Sequence, residues 1–170
     1  MIGMGDEVGR PLQLAMAVDR VNASQPTRAV ERLAAELGGL QDARIGLLGL
    51  AFKAETDDIR DSPALELARH LHDSGAHVVA CDPQAGPRAV EQMPWIELAD
   101  SPAQVAADAD AIVLSTEWSE YVTVNLPELA GKMRQKVLFD ARNALDATHV
   151  AAAGLTYLAV GRPTVRAEVG

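Results

Sequence analysis

The sequence predicts an α/β fold: a doubly wound parallel sheet with helices on both faces, preceded by a helical segment. Three observations carry this expectation. Short apolar runs recur at residues 45–50, 78–81, 111–115, 137–139 and 157–160. These runs are continuous rather than alternating, as strands covered on both faces require. Helix-start signals stand between them, and strands alternating with helices imply right-handed βαβ units and a parallel sheet.

The elements follow in order. Residues 8–38 read as helical, with Val30, Leu33, Ala34 and Leu37 at the spacing of a buried stripe and Leu14, Val18 and Val21 forming an earlier one. Pro26 lacks an amide hydrogen, so a kink or restart is expected near residues 24–27. Gly38-Gly39 terminates the segment. Residues 45–50 make the first strand. Ser62 then caps a helix with Pro63 at its first position, ending at Gly75. The second strand, 78–81, stops at Asp82-Pro83, and a short helix near 88–92 and a weak strand near 95–98 follow. Ser101-Pro102 opens another helix, before strands at 111–115, 137–140 and 157–160. The expected division is a linking helical segment, 1–40, and one sheet domain, 41–170.

Composition narrows the function. Of 170 residues, 48% are hydrophobic and 23% charged, which is ordinary for a globular protein. The formal net charge is -9 and no basic stripe is present, which argues against a nucleic-acid partner. No apolar run approaches the roughly 18 residues of a membrane span, and the first ten residues lack the basic start and apolar stretch of a signal peptide. A cytoplasmic protein is the expectation. Cys81, the single cysteine, has no internal disulfide partner, and His70, His72, His77 and His149 show no metal-ligand spacing, so no metal is expected.

In such a sheet ligands bind beyond the carboxyl ends of the strands. The first strand runs through Gly49 into a polar loop, 54–61, but G-x-G-x-x-G is absent, and Gly46 and Gly49 read as close packing positions. Lys53 and Arg60 fit either contacts to phosphate or solvated charge paired with Asp57, Asp58 or Asp61. Phe52 reads as a core residue more readily than as a stacking platform. Arg142 projects from a strand end after Asp140, where convergence with Lys53 depends on strand order. Asp82 is either a ribose-hydroxyl acceptor or a plain Asp-Pro turn. Cys81 reads as a buried structural thiol.

The segment Gly49-Leu-Ala-Phe-Lys-Ala-Glu-Thr-Asp-Asp-Ile-Arg-Asp-Ser-Pro-Ala64 closely resembles the third-domain signature of the UDP-glucose/GDP-mannose dehydrogenase family. Val79-Ala-Cys-Asp-Pro83, Ser115-Thr-Glu-Trp-Ser-Glu-Tyr121, Phe139-Asp-Ala-Arg-Asn143 and Tyr157-Leu-Ala-Val-Gly-Arg162 match it in order. Ala17-Val-Asp-Arg-Val-Asn22 resembles the long helix that joins the family's two Rossmann-like domains. The resemblance implies a Rossmann-like, UDP-sugar-binding domain of an enzyme that oxidises a nucleotide-sugar 6-hydroxyl to a carboxylate in two NAD-dependent steps. By motif, Phe52, Lys53 and Arg142 resemble the substrate-binding residues and Arg60 the arginine that reaches NAD.

The resemblance also implies an amino-terminal half that holds most of the NAD and carries the catalytic cysteine, and a homodimer built through the linking helix. Neither a cofactor fingerprint nor that cysteine's motif occurs in these residues, so no catalytic residue is assigned and the chain alone is expected to be inactive. Thr116-Glu117-Trp118 resembles the UDP-glucose branch, which makes UDP-glucuronate, more than the UDP-N-acetylmannosamine branch. The same domain of a UDP-N-acetylmannosamine or GDP-mannose dehydrogenase, and a non-catalytic nucleotide-sugar-binding or dimerisation module, are the alternatives. One departure stands out: Ala141 replaces the family's usual glycine before Arg142, a difficulty if that position needs a positive φ.

Overall fold

Apolar segments with no polar face can be stable only inside a sheet covered on both sides, and the computed structural model has that arrangement. It describes residues 13–167, the side chains of residues 13–15, 17–20 and 23 excepted. Six strands form one sheet: β1 (Arg44–Leu48), β2 (His77–Cys81), β3 (Glu97–Leu98), β4 (Ala111–Leu114), β5 (Val137–Asp140) and β6 (Thr156–Ala159). Their spatial order is β3-β2-β1-β4-β5-β6, with every ladder parallel. Order therefore reverses between β1 and β4, and a crevice opens there at the carboxyl edge. The four central strands are buried along nearly their whole length, whereas both residues of β3 are exposed. A two-residue edge strand offers little template for unwanted pairing.

The first helix, α1 (Gln13–Leu37), corrects one expectation. It passes through Pro26 without a restart. Pro26 points inward and is buried, in line with Ala29 and Leu33 at helical spacing. The helix packs on α2 (Pro63–Asp73) and on β5. Near the missing proline amide, the Val21 carbonyl accepts from the Ser24 hydroxyl at 2.7 Å and the Gln25 amide at 3.3 Å. Packing of the buried Pro26 face outweighs one lost backbone bond. The buried line is also rotated from the expected stripe. Val30, Ala34 and Leu37 are half-buried and Val21 is 54% exposed, while Leu14 and Val18 fall outside the described side chains. Residues 8–12 of the expected helix lie outside the described residues. Gly38 (φ 77°) ends α1 as expected, with the Gly39 amide donating to the Ala34 carbonyl at 2.9 Å.

Crossover helices α3 (Gly86–Gln92) and α4 (Pro102–Ala106) fall where the sequence puts them. Three more, α5 (Ser119–Val122), α6 (Leu126–Lys132) and α7 (Ala147–Ala152), were not anticipated. They are short, and their apolar stripes span barely one turn. Their caps were nonetheless present: the Asn125 side chain accepts from the Glu128 amide, and Asp146 from the His149 amide. Among the described residues, no helix is long and apolar enough to cross a membrane.

Candidate functional site

The loop after β1 is held by polar contacts that aim it. Gly49 has φ 98°, and a Cβ there would lie 2.4 Å from the Cβ of Thr116. Only glycine lets the two strand ends approach so closely. Gly46 is a packing position of the expected kind, because its Cβ would meet Val105 of α4 at 2.4 Å. Beyond Gly49, the amides of Leu50 and Ala51 donate to Asp82 at 2.7 and 3.0 Å. The Thr116 hydroxyl donates to the Ala51 carbonyl at 2.9 Å, and the buried Ser62 hydroxyl to the Leu50 carbonyl at 2.7 Å. Ser62 occupies the cap position of α2 but makes no side-chain cap, since its hydroxyl is engaged at Leu50. Pro63 does take the first helical position.

This frame carries Phe52 outward. It is 48% exposed, so it is not a core residue. The Phe52 amide donates to the Asp58 carbonyl at 2.8 Å, closing the loop behind it. Lys53 is exposed beside it. Arg60 is 86% exposed and its guanidinium is forked on Asp58 at 2.9 and 2.8 Å. That hydrogen bonding raises Arg60 above the usual arginine value and holds Asp58 well below the carboxylate range.

A cleft of about 760 Å³ lies between α1, the start of α2 and the loop after β5. Phe52 and Arg142 both line it, together with Asn22, Gln25, Asp61 and Ser115. Lys53 and Arg60 are not among its lining residues. The structure thus brings two of the four sequence candidates to one cavity and leaves the other two exposed outside its lining.

Arg142 is positioned from two sides. Its backbone amide donates to the fully buried Asp140 at 2.9 Å, and Asp140 also accepts from the Leu145 amide at 2.8 Å and the Tyr157 hydroxyl at 3.0 Å. Its guanidinium is forked on Glu117, with one bond at 2.8 Å. This pairing raises Arg142 and lowers Glu117 from their usual values, against a burial effect of opposite sign in each case.

The corresponding position after β2 does not suit a dinucleotide. Asp82, where a ribose acceptor would stand, is fully engaged: one oxygen takes the Leu50 and Ala51 amides, the other those of Gln84 and Ala85 at 2.9 and 2.7 Å. It is neither a free acceptor nor a plain turn, but the strut that fixes the β1 loop. The cavity beside it, about 340 Å³, is lined by Asp82, Asp100 and Glu120, carboxylates that oppose a pyrophosphate. Cys81 in the same wall is buried, and desolvation pushes its thiol up to about 11. No group of three His, Cys, Asp or Glu side chains suited to a metal ion occurs among the described residues.

This geometry has counterparts. Residues 46–147 match the model of the UDP-glucose/GDP-mannose dehydrogenase family, UDP binding domain. The chain belongs to that family. It is 35% identical over 154 residues to a UDP-glucose 6-dehydrogenase of Rhizobium meliloti, covering 90% of this chain and 35% of that one. With a UDP-glucose 6-dehydrogenase of Haloferax volcanii it shares 42% identity over 132 residues, 78% of this chain and 30% of the other. The solved UDP-glucose dehydrogenase of the hyperthermophilic archaeon Pyrobaculum islandicum superposes with a TM-score of 0.73 at 34% identity, covering 82% and 31% of the two chains. The chain spans about a third of the length of these relatives.

As a member of this dehydrogenase family, the chain departs from the usual glycine at Ala141 without strain. The left-handed residue of that turn is Asn143, at φ 54°, and asparagine tolerates it. Sequence reasoning missed the contribution of α1 to the cleft. The signal was available: Asn22, Gln25, Pro26 and Ala29 fall on one face at helical spacing. It also missed Glu117 as the partner of Arg142, a pairing across distant segments that no local pattern contains.

Proposed function

We propose that this chain is the UDP-sugar-binding lobe of an NAD-dependent UDP-glucose 6-dehydrogenase, which converts UDP-glucose to UDP-glucuronate in two oxidations. The observation that carries the proposal is the convergence of Phe52 and Arg142 on one cleft, on a chain whose family is defined by UDP binding. Phe52 offers an exposed ring face to the nucleotide sugar. Arg142, held by Glu117 and Asp140, presents its remaining N–H donors to phosphate or hydroxyl oxygens. Lys53, exposed and one residue from Phe52, completes the substrate set.

The residues after β2 do not fit NAD, so the cofactor is assigned to the amino-terminal half of the enzyme, with Arg60 reaching it across the interface. That half also supplies the reacting groups. Residues 1–40 form the linking segment and 41–170 the binding domain of a cytoplasmic homodimer. The family name leaves GDP-mannose as an alternative substrate, and Thr116-Glu117-Trp118 favours the UDP-glucose branch.

The test is amide NMR of the 170-residue chain titrated with UDP and, separately, NAD. Saturable UDP shifts at Phe52, Lys53 and Arg142 without NAD shifts support a preformed nucleotide-sugar lobe. UDP titration that leaves these three residues unmoved counts against it. A second reading, a dimerisation module without a ligand of its own, draws on Val21, exposed on α1. Sedimentation at several concentrations that returns a strict monomer removes that reading.

A further inference from the structure

We infer that Arg28, Arg32 and Arg162 form an anion site for a phosphate-bearing ligand, in a second cavity that adjoins the cleft. The cavity, about 370 Å³, is lined by these three arginines and shares Gln25, Ala29, Phe139 and Val160 with the larger cleft. Arg28 and Arg32 come from one face of α1 and Arg162 from the turn after β6, so the long helix α1, a loop and the buried Phe139 ring line it.

Charge pairing elsewhere makes this cluster unusual. Arg44, Arg60, Arg88, Arg134, Arg142 and Arg166 each pair with a carboxylate. Arg28, Arg32 and Arg162 take part in no ion pair among the described residues, although the chain carries a net charge of -9. Glu36, one turn along α1 from Arg32, is already engaged by Arg166. Three unneutralised guanidinium groups around one cavity repel one another, and an anion between them relieves that repulsion.

The middle arginine is preset. Arg32 is half-buried, with its guanidinium 5.7 Å from the centre of the Phe139 ring and donating to the Ala159 carbonyl and, at 3.5 Å, to the Thr164 hydroxyl. Held this way, it has further N–H donors to offer and loses little side-chain entropy on binding. Arg28 and Arg162 are exposed and line the same cavity. The preference is for phosphate over a singly charged anion, because a dianion engages more than one guanidinium.

The experiment is an NMR titration of the chain with inorganic phosphate at constant ionic strength, with chloride as the control. Arginine side-chain Nε–Hε signals and backbone amides are followed together. Saturable shifts are expected at Arg28, Arg32, Gly161 and Arg162 and not at Arg69, an exposed arginine of α2. Arg162→Gln and Arg28→Gln should each weaken phosphate at least about tenfold, the loss of one charge-assisted contact. Both positions are exposed, so an unchanged unfolding midpoint verifies that the fold persists.

Non-saturating shifts spread over all exposed arginines, or unchanged affinity in both variants, overturn the inference. Repeating the titration with UDP present separates two sources of the phosphate. Displacement by UDP identifies the nucleotide's own diphosphate, and simultaneous binding identifies a separate phosphate-bearing ligand. The three arginines lie outside the lining of the proposed cleft, so phosphate bound here while UDP leaves Phe52 unmoved retains this inference and rejects that reading.

Discussion

The two sides of the sheet's carboxyl edge use the same device to different ends. Just after β2 and at the last position of β5 the chain places an aspartate whose two oxygens accept backbone amides and so hold the following turn. Asp82 takes four amides and Asp140 takes two and the Tyr157 hydroxyl. On the β2 side nothing cationic is left over: the wall is acidic and its cysteine is buried. On the β5 side the residue that Asp140 positions is Arg142, whose guanidinium reaches the cleft. A strand-end aspartate is thus architecture in both places. After β5, the residue two positions later, Arg142, is the one that lines the cleft.

Replacing the aspartates separates the two sides most strongly. Asp140→Ala leaves the Arg142 and Leu145 amides without an acceptor and the Tyr157 hydroxyl with only the Leu145 carbonyl at 3.4 Å, at a fully buried position, and should cost about 4 kcal/mol of unfolding free energy. Asp82 is partly exposed, so water takes over some of its amides, and Asp82→Ala should cost about 2 kcal/mol. Urea unfolding with unchanged slope measures both. Equal losses would mean that burial does not distinguish the two struts.

Gly49→Ala should fall between these two aspartate losses and the surface effects below. It combines a φ of 98° with a methyl group 2.4 Å from Thr116, a conflict worth about 1–2 kcal/mol. Its unfolding midpoint should drop while that of Gly131→Ala does not, since a Cβ at Gly131 meets nothing within 4 Å.

Much of this was legible in the sequence. The strands at β1, β2, β4, β5 and β6 are uninterrupted apolar runs, and a sheet buried on both faces has no other use for them. Arg142 was placed at the ligand edge because strand ends mark that side of the fold, whereas Phe52 read as core by its local pattern and entered the candidate site only through the family motif. What was not legible is long-range or short. Pro26 signalled a break, but its burial against α2 decided otherwise. The cap residues Asn125 and Asp146 were visible, yet helices of a turn or two have too few residues to show a period. Asp82 was ambiguous between two local roles because the amides it accepts belong partly to a loop some thirty residues earlier.

The ligand-facing difference is tested with arginines. Arg142→Ala should weaken UDP about tenfold, the loss of one charge-assisted contact, while altering stability by less than about 1 kcal/mol because its ion pair is exposed. Arg88→Ala, which breaks an exposed pair with Asp57 on the β2 side, should leave UDP affinity unchanged. A loss of UDP affinity in both variants would erase the functional contrast between the two sides.

The smallest effect concerns Glu117. Hydrogen bonding to Arg142, with the charge of that guanidinium, holds its carboxyl below the ordinary 4.5 despite partial burial. A depressed folded-state value means that the pair stabilises the protein fully above about pH 4.5 and loses this contribution as pH falls through the lower folded value. Solvent screening limits the contribution to less than about 1 kcal/mol. Stability of the wild type relative to Glu117→Gln should therefore converge as pH drops below 4.5 and stay constant above it, where neither carboxyl form changes. The same substitution leaves Arg142 tethered only through its backbone amide to Asp140, so UDP should still bind, with lower affinity from a less ordered guanidinium. A Glu117→Gln chain that binds UDP more tightly would show instead that Glu117 competes with the ligand for Arg142, and that the pair opens when the cleft fills.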